Sequence, residues 1–105
     1  MSKTGFFHSV YFFIKDDAEA GAAAMLAQAC LDHLAGIPGV LRLEVGFPAG
    51  TDRTVVDNSY GVMLLIEFEN KAAHDSYQQH PDHLVFVDIC ASVSKRVQVY
   101  DMIPM

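Results

Sequence analysis

The order of strand-like and helix-like segments predicts an α+β fold with the plan β-α-β-β-α-β. Three observations carry that expectation. Aromatic and β-branched residues crowd Phe6–Ile14 and Tyr60–Phe68, and such residues fit a pleated, half-buried surface. Val40–Phe47 and Val93–Met102 alternate in polarity with the period of two that a strand imposes. Between the first and second strands, and again between the third and fourth, helix-start signals precede stretches with apolar residues at helical spacing. A chain of 105 residues is the usual size of one domain, so residues 1–105 are read as a single unit.

The elements follow in order. Phe6–Ile14 is strand one. Asp16 with Glu19 three residues later has the form of a capping box and predicts the start of helix one. Ala23, Ala27, Cys30, Leu31 and Leu34 form its apolar stripe, and Gly36 and Pro38-Gly39 end it. In strand two, Leu41, Leu43, Val45 and Phe47 alternate with Arg42, Glu44 and Gly46. Pro48–Ser59 is a polar loop. Tyr60–Phe68 is strand three, apolar on both faces. Asn70 caps a short helix to about Gln79. Pro81 suits the first turn of a second short helix to about Ser92, because a missing N–H is harmless there. Val93–Met102 closes the fold as strand four.

This is the ferredoxin-like plan, a four-stranded antiparallel sheet with its helices on one face. Strands one and three contradict a wet second face. Phe7, Tyr11 and Phe13 point one way while Val10, Phe12 and Ile14 point the other, and one helical layer cannot cover both sets. At about 25 cal/mol per Å² and ~150 Å² or more per ring, three uncovered aromatic side chains forfeit several kcal/mol. A second copy packed sheet to sheet removes that penalty, so a homodimer through the sheet face is expected.

Composition narrows the function classes. The formal net charge is −6, and the seven basic residues are scattered, apart from the pair Lys95-Arg96. No basic stripe is available to follow a phosphate backbone, which argues against nucleic-acid binding. No apolar run approaches membrane-spanning length, which argues against a membrane partner. The two cysteines, Cys30 and Cys90, lie on apolar helical stretches and read as small buried hydrophobes in a reducing compartment. Phe6–Ile14 carries His8 and Ser9 and runs into Lys15-Asp16-Asp17, so it is a strand rather than a signal peptide. A cytoplasmic protein is the expectation.

Chemistry concentrates in Tyr77-Gln78-Gln79-His80-Pro81-Asp82-His83, where a phenol and two imidazoles flank a proline break. His83 falls in the first turn of the second short helix. The positive end of that helix disfavours imidazolium, while Asp82 acts the other way. A neutral imidazole beside the Tyr77 phenol is equipped to take a proton alpha to a carbonyl and return one to oxygen. The plainer alternatives are a His83 that bonds locally and a Tyr77 that is a core ring. His80 has a structural reading, as a cap or turn residue, beside a ligand-contact one. His8 shares the face of Val10, Phe12 and Ile14, where a histidine is ordinarily a satisfied core residue. His74, His80 and His83 with Asp75 and Asp82 match no zinc spacing, and Pro81 prevents one helix from presenting all three, so no metal is expected. No glycine-rich phosphate loop or nucleophile elbow is present, and no cofactor is called for.

His8-x-Val10-x-Phe12, the Tyr60–Phe68 strand and Tyr77-x-x-His80-Pro81-x-His83-x-x-Phe86 together resemble the Dabb family, the stress-responsive dimeric α/β-barrel domain. The resemblance spans essentially the whole chain, and its most specific part is the His-Pro-x-His segment. It implies ferredoxin-like subunits paired through their sheets into a barrel. One plant member, olivetolic acid cyclase, closes a linear polyketide by an aldol-type condensation. By motif the resemblance assigns the acid/base role to His83, assistance to Tyr77 and pocket lining to His8. Val62 and Cys30 stand where that cyclase carries a histidine and a tyrosine.

Two principal functions compete. One is a small-molecule-binding barrel with cyclase- or lyase-like acid–base chemistry on a carbonyl substrate. It requires an open pocket, which Met25 or Met63 could plug. The other is a non-catalytic stress or assembly protein whose dimer is the functional unit. A monooxygenase of the same barrel superfamily is a third alternative, by fold analogy alone.

Overall fold

The computed structural model describes residues 5–105. Its elements are β1 (Phe6–Ile14), α1 (Ala22–Leu34), β2 (Val40–Gly46), β3 (Val62–Phe68), α2 (Lys71–Gln79), α3 (Pro81–Val93) and β4 (Ser94–Met102). The strands form one sheet in the order β2-β3-β1-β4, with every neighbouring pair antiparallel. The expected ferredoxin-like plan is therefore present, its second helical region split in two.

One face of the sheet meets the helices. Phe6, Val10 and Phe12 of β1 and Val62, Leu64, Ile66 and Phe68 of β3 bury against Leu26, Cys30 and Leu34 of α1, Tyr77 of α2, and Phe86 and Cys90 of α3. Burial alternates strictly along β1 through Phe13 and along all of β3, as the pleat requires. The residues between them, Phe7, Tyr11 and Phe13 with Met63 and Leu65, lie on the helix-free face. There they join Tyr100 and Met102, which are 62% and 53% exposed. The apolar second face anticipated from the sequence exists.

The break between α2 and α3 has a local cause. Asn70 caps α2 by accepting the Ala73 N–H at 2.8 Å. At the other end, the ring of Pro81 bars the helical region to His80, which sits extended at φ −66°, ψ 139°. Gly39, at φ +93°, lets α2 approach the start of β2 closely. A Cβ there would lie 2.7 Å from Ala73 Cβ.

One helix boundary departs from the sequence reading. The Asp16/Glu19 pair does not open α1, which starts at Ala22 behind Gly21 in a left-handed conformation without a side-chain cap. The intervening residues form the climb from sheet to helix layer, and Asp16 instead accepts from Lys95 Nζ at 2.6 Å. Both cysteines are buried and free. Burial, with Cys90 nearby, pushes the Cys30 thiol up to about 12, so it behaves as a small hydrophobe.

Candidate functional site

Beneath α2 and α3, against the helix-facing side of the sheet, lies a cavity of about 210 Å³. Its walls are mostly apolar: Val10, Phe12, Leu64, Phe86, Val87, Cys90, Val97 and Val99. Three polar rings interrupt them, from His8, Tyr77 and His83, together with Gln78. Since β4 is an edge strand, the hollow reaches the surface there, where Val87, Val97 and Val99 remain partly exposed. Neither methionine considered as a plug enters it. Met25 lies near the start of α1 and Met63 faces the open side of the sheet.

The proline break positions the chemistry. Tyr77 stands in the last turn of α2 and His83 in the first turn of α3, so reversing direction at His80–Pro81 folds one ring onto the other. Their centroids are 4.7 Å apart, and His8 faces Tyr77 at 6.0 Å. Tyr77 is 1% exposed and packs edge-on against Phe68. Burial drives its phenol pKa up, so the hydroxyl keeps its proton at neutral pH. His83 goes the opposite way. Burial is the main influence lowering its pKa, reinforced by the imidazoles of His8 and His74, while the Gln78 carbonyl pulls back. Its Nδ1 is buried and has no hydrogen-bond partner among the described residues. A neutral imidazole thus sits beside a protonated phenol.

His8 is fixed from behind. It is 5% exposed and directly opposite Asp101 in the β1–β4 ladder. Its Nδ1 lies 2.6 Å from Asp101 Oδ1. A carboxylate there accepts from Nδ1–H and leaves Nε2 as the acceptor nitrogen. Burial lowers the His8 pKa, with the Asp101 hydrogen bond opposing it. His74 of α2 flanks this pair, 4.9 Å from the His8 ring and stacked on Phe6 at 4.3 Å.

Of the residues singled out in the sequence, His83, Tyr77 and His8 therefore converge, and His80 does not. His80 caps α3, its ring nitrogen accepting the Asp82 N–H at 3.1 Å, and it stays outside the cavity wall. Of the two readings the sequence offered for His80, the structure displays the cap, because the extended backbone that Pro81 demands turns its ring to the helix end. Asp101 escaped the sequence reading, and His74 entered it only within a metal set that was set aside. One signal was available for Asp101, which continues the Val97, Val99 register on the helix-facing side of β4. A hollow of about 470 Å³ beside the start of α1 gathers only the exposed Lys15, Asp17 and Glu19 as charged groups and holds no comparable constellation.

These features define a class: a ferredoxin-like α+β subunit with a small, mostly apolar cavity under its helices and a histidine–tyrosine pair on the wall. The family model described as Stress responsive A/B Barrel Domain, Dabb, matches residues 6–104, and the chain belongs to that family. A comparison with curated proteins gives no match. Among solved structures, a Dabb protein from Mesorhizobium loti with a ferredoxin-like fold is 24% identical, with a TM-score of 0.79 over 98% of this chain and 99% of that one. A dimeric ferredoxin-like protein of unknown function from Thermobifida fusca is 19% identical, with a TM-score of 0.81 over 96% and 92%. Hydroxynitrile lyase from Passiflora edulis is 14% identical, with a TM-score of 0.80 over 97% and 94%. At these identities the likeness speaks to the fold.

Proposed function

We propose that this protein is a homodimer, paired through its open sheet face, that binds a small organic carbonyl compound beneath α2 and α3 and performs acid–base chemistry on it. The observation that carries the reading is the His83 imidazole, set against the Tyr77 ring on the wall of a mostly apolar cavity, with its Nδ1 buried and unpartnered among the described residues. A buried polar atom left unsatisfied costs about 1–3 kcal/mol, and native structures that keep such an atom often do so at functional sites. In the proposed reaction the His83 imidazole takes a proton alpha to the carbonyl, and the Tyr77 hydroxyl hydrogen-bonds to the carbonyl oxygen as charge develops there. His8, held by Asp101, orients the substrate or shuttles the returning proton.

The cavity of about 210 Å³ equals some seven waters at ~30 Å³ each, below the usual range for drug-sized ligands. A compound of one ring or a short chain suits it better than a long polyketide. The Passiflora edulis neighbour is a lyase of hydroxynitriles, which agrees with small-substrate chemistry on this fold. The dimer reading is supported by Phe7, Tyr11, Phe13, Tyr100 and Met102 on the helix-free face and by solved neighbours described as dimeric. That same face favours the second reading, a non-catalytic assembly protein.

Native mass spectrometry of the purified protein, followed by addition of small aldehydes and ketones, tests the proposal. The expected result is a dimer that retains a small mass or a carbonyl probe until denatured and loses it in the His83→Ala variant. Probe turnover would separate enzyme from binder. A dimer that ignores every probe would favour the non-catalytic reading.

A further inference from the structure

From β1, α2 and β4 the fold assembles a second constellation, at the edge of the cavity, that no local sequence spacing announces. His8, His74 and Asp101 each offer a ligand atom, and all three atoms lie within 4.8 Å of one another. We propose that these residues bind a divalent transition-metal ion of the zinc type, one per chain.

The donor set fits that chemistry. Two imidazoles and one carboxylate suit zinc, and three protein ligands leave a position for water or a small ligand. Asp101 has His8 as its sole ion-pair partner among the described residues, so its charge meets no lysine or arginine. His74 has Asp75 Oδ1 3.1 Å from its Nδ1, and its Nε2, left to ligate, lies 3.2 Å from Gln78 Nε2, a contact the ion would displace. Such carboxylate–histidine contacts orient the ring and raise its basicity.

The adjustment needed is small. Ligand atoms around a tetrahedral zinc, with bonds of roughly 2.0–2.1 Å, sit about 3.3 Å apart. The 2.6 Å contact between His8 and Asp101 must open, His8 Nδ1 giving up the proton it donates to the carboxylate, and pairs nearer the 4.8 Å limit must close by about 1.5 Å. His8 is locked in the sheet, whereas the half-exposed Asp101 side chain has room to move.

The inference does not rest on the proposed carbonyl chemistry, and its test needs no organic ligand. Full-length protein stripped with a chelator is titrated with zinc alone while the histidine ring signals are followed by NMR, and with cobalt(II) in the visible range. The expected result is saturation at one ion per chain, with the His8 and His74 signals moving and those of His33 and His80 unmoved. Asp101→Asn and His74→Gln should each weaken binding at least tenfold, and Asp75→Asn about tenfold through His74. Absence of saturable binding by the wild-type chain overturns the site. So does unchanged binding in either ligand variant, or NMR shifts that centre on His33 or His80. If a variant fails to fold, the wild-type NMR pattern decides alone.

Discussion

Replacing His83 by leucine separates a functional histidine from a structural one, because the two predict opposite signs. In the ligand-free chain His83 Nδ1 is buried and unpartnered, a condition worth about 1–3 kcal/mol of destabilisation. Leucine has a similar bulk and no polar atom, and it would extend the apolar wall formed by Leu64, Phe86 and Val87. Against that gain stands the loss of the ring's interaction with the Gln78 carbonyl, about 0.5–1.5 kcal/mol. The balance is a stabilisation of roughly 0.5–1.5 kcal/mol, and each kcal/mol raises Tm by about 4–8 °C in a domain near this size. Urea and thermal unfolding should be compared at one fixed protein concentration, since dimerisation couples stability to mass action. The variant should be more stable and unable to bind carbonyl probes, the trade expected where function is held in a strained site. A loss of 1 kcal/mol or more would show that the histidine serves the fold and would refute the reasoning.

Three further outcomes follow from the same geometry. His80→Ala removes the α3 cap and should cost about 0.5–1 kcal/mol in urea unfolding while leaving probe affinity unchanged. Gly39→Ala combines a left-handed backbone with a Cβ 2.7 Å from Ala73 Cβ, and a loss of about 2–4 kcal/mol is expected in the same assay. Burial lowers the pKa of both His8 and His83 below the ordinary 6.5, so the unfolded chain binds more protons as pH falls past that value. Their contribution to stability is complete above about pH 6.5 and is lost as pH drops through the lowered folded-state values, at no more than ~1.4 kcal/mol per pH unit per group. Unfolding measured from pH 8 to 5 should show this fall, and His8→Phe with His83→Leu should flatten it.

The fold was legible because its signals are local and strong. Aromatic density marked β1, alternation marked β2 and β4, and Pro81 marked the break that aims His83 at Tyr77. The start of α1 was not. Asp16 and Glu19 have the spacing of a capping box, but long-range pairing of Asp16 with Lys95 and the turn at Gly21 set the boundary instead. Half of the polar constellation was invisible for a related reason. Asp101 meets His8 across 93 residues of chain, through a strand register that sequence patterning does not specify. His74 lies four residues from Gln78, which bonds its ring, yet its approach to His8 depends on how α2 crosses β1. His80 and His83 look equivalent in the sequence. The backbone that Pro81 imposes on His80 distinguishes them, giving one ring to the helix cap and the other to the cavity.

The central claim is that His83 and Tyr77 form a ligand site. It is tested most directly by following the His83 ring nitrogens with ¹⁵N NMR during titration with small aldehydes and ketones. The account predicts a saturable shift of the His83 ring nitrogens, accompanied by Tyr77 and Val87 and abolished when Tyr77 is changed to phenylalanine. Binding that leaves the His83 ring unmoved, or shifts gathered around Tyr11 and Tyr100 on the open sheet face, would contradict it.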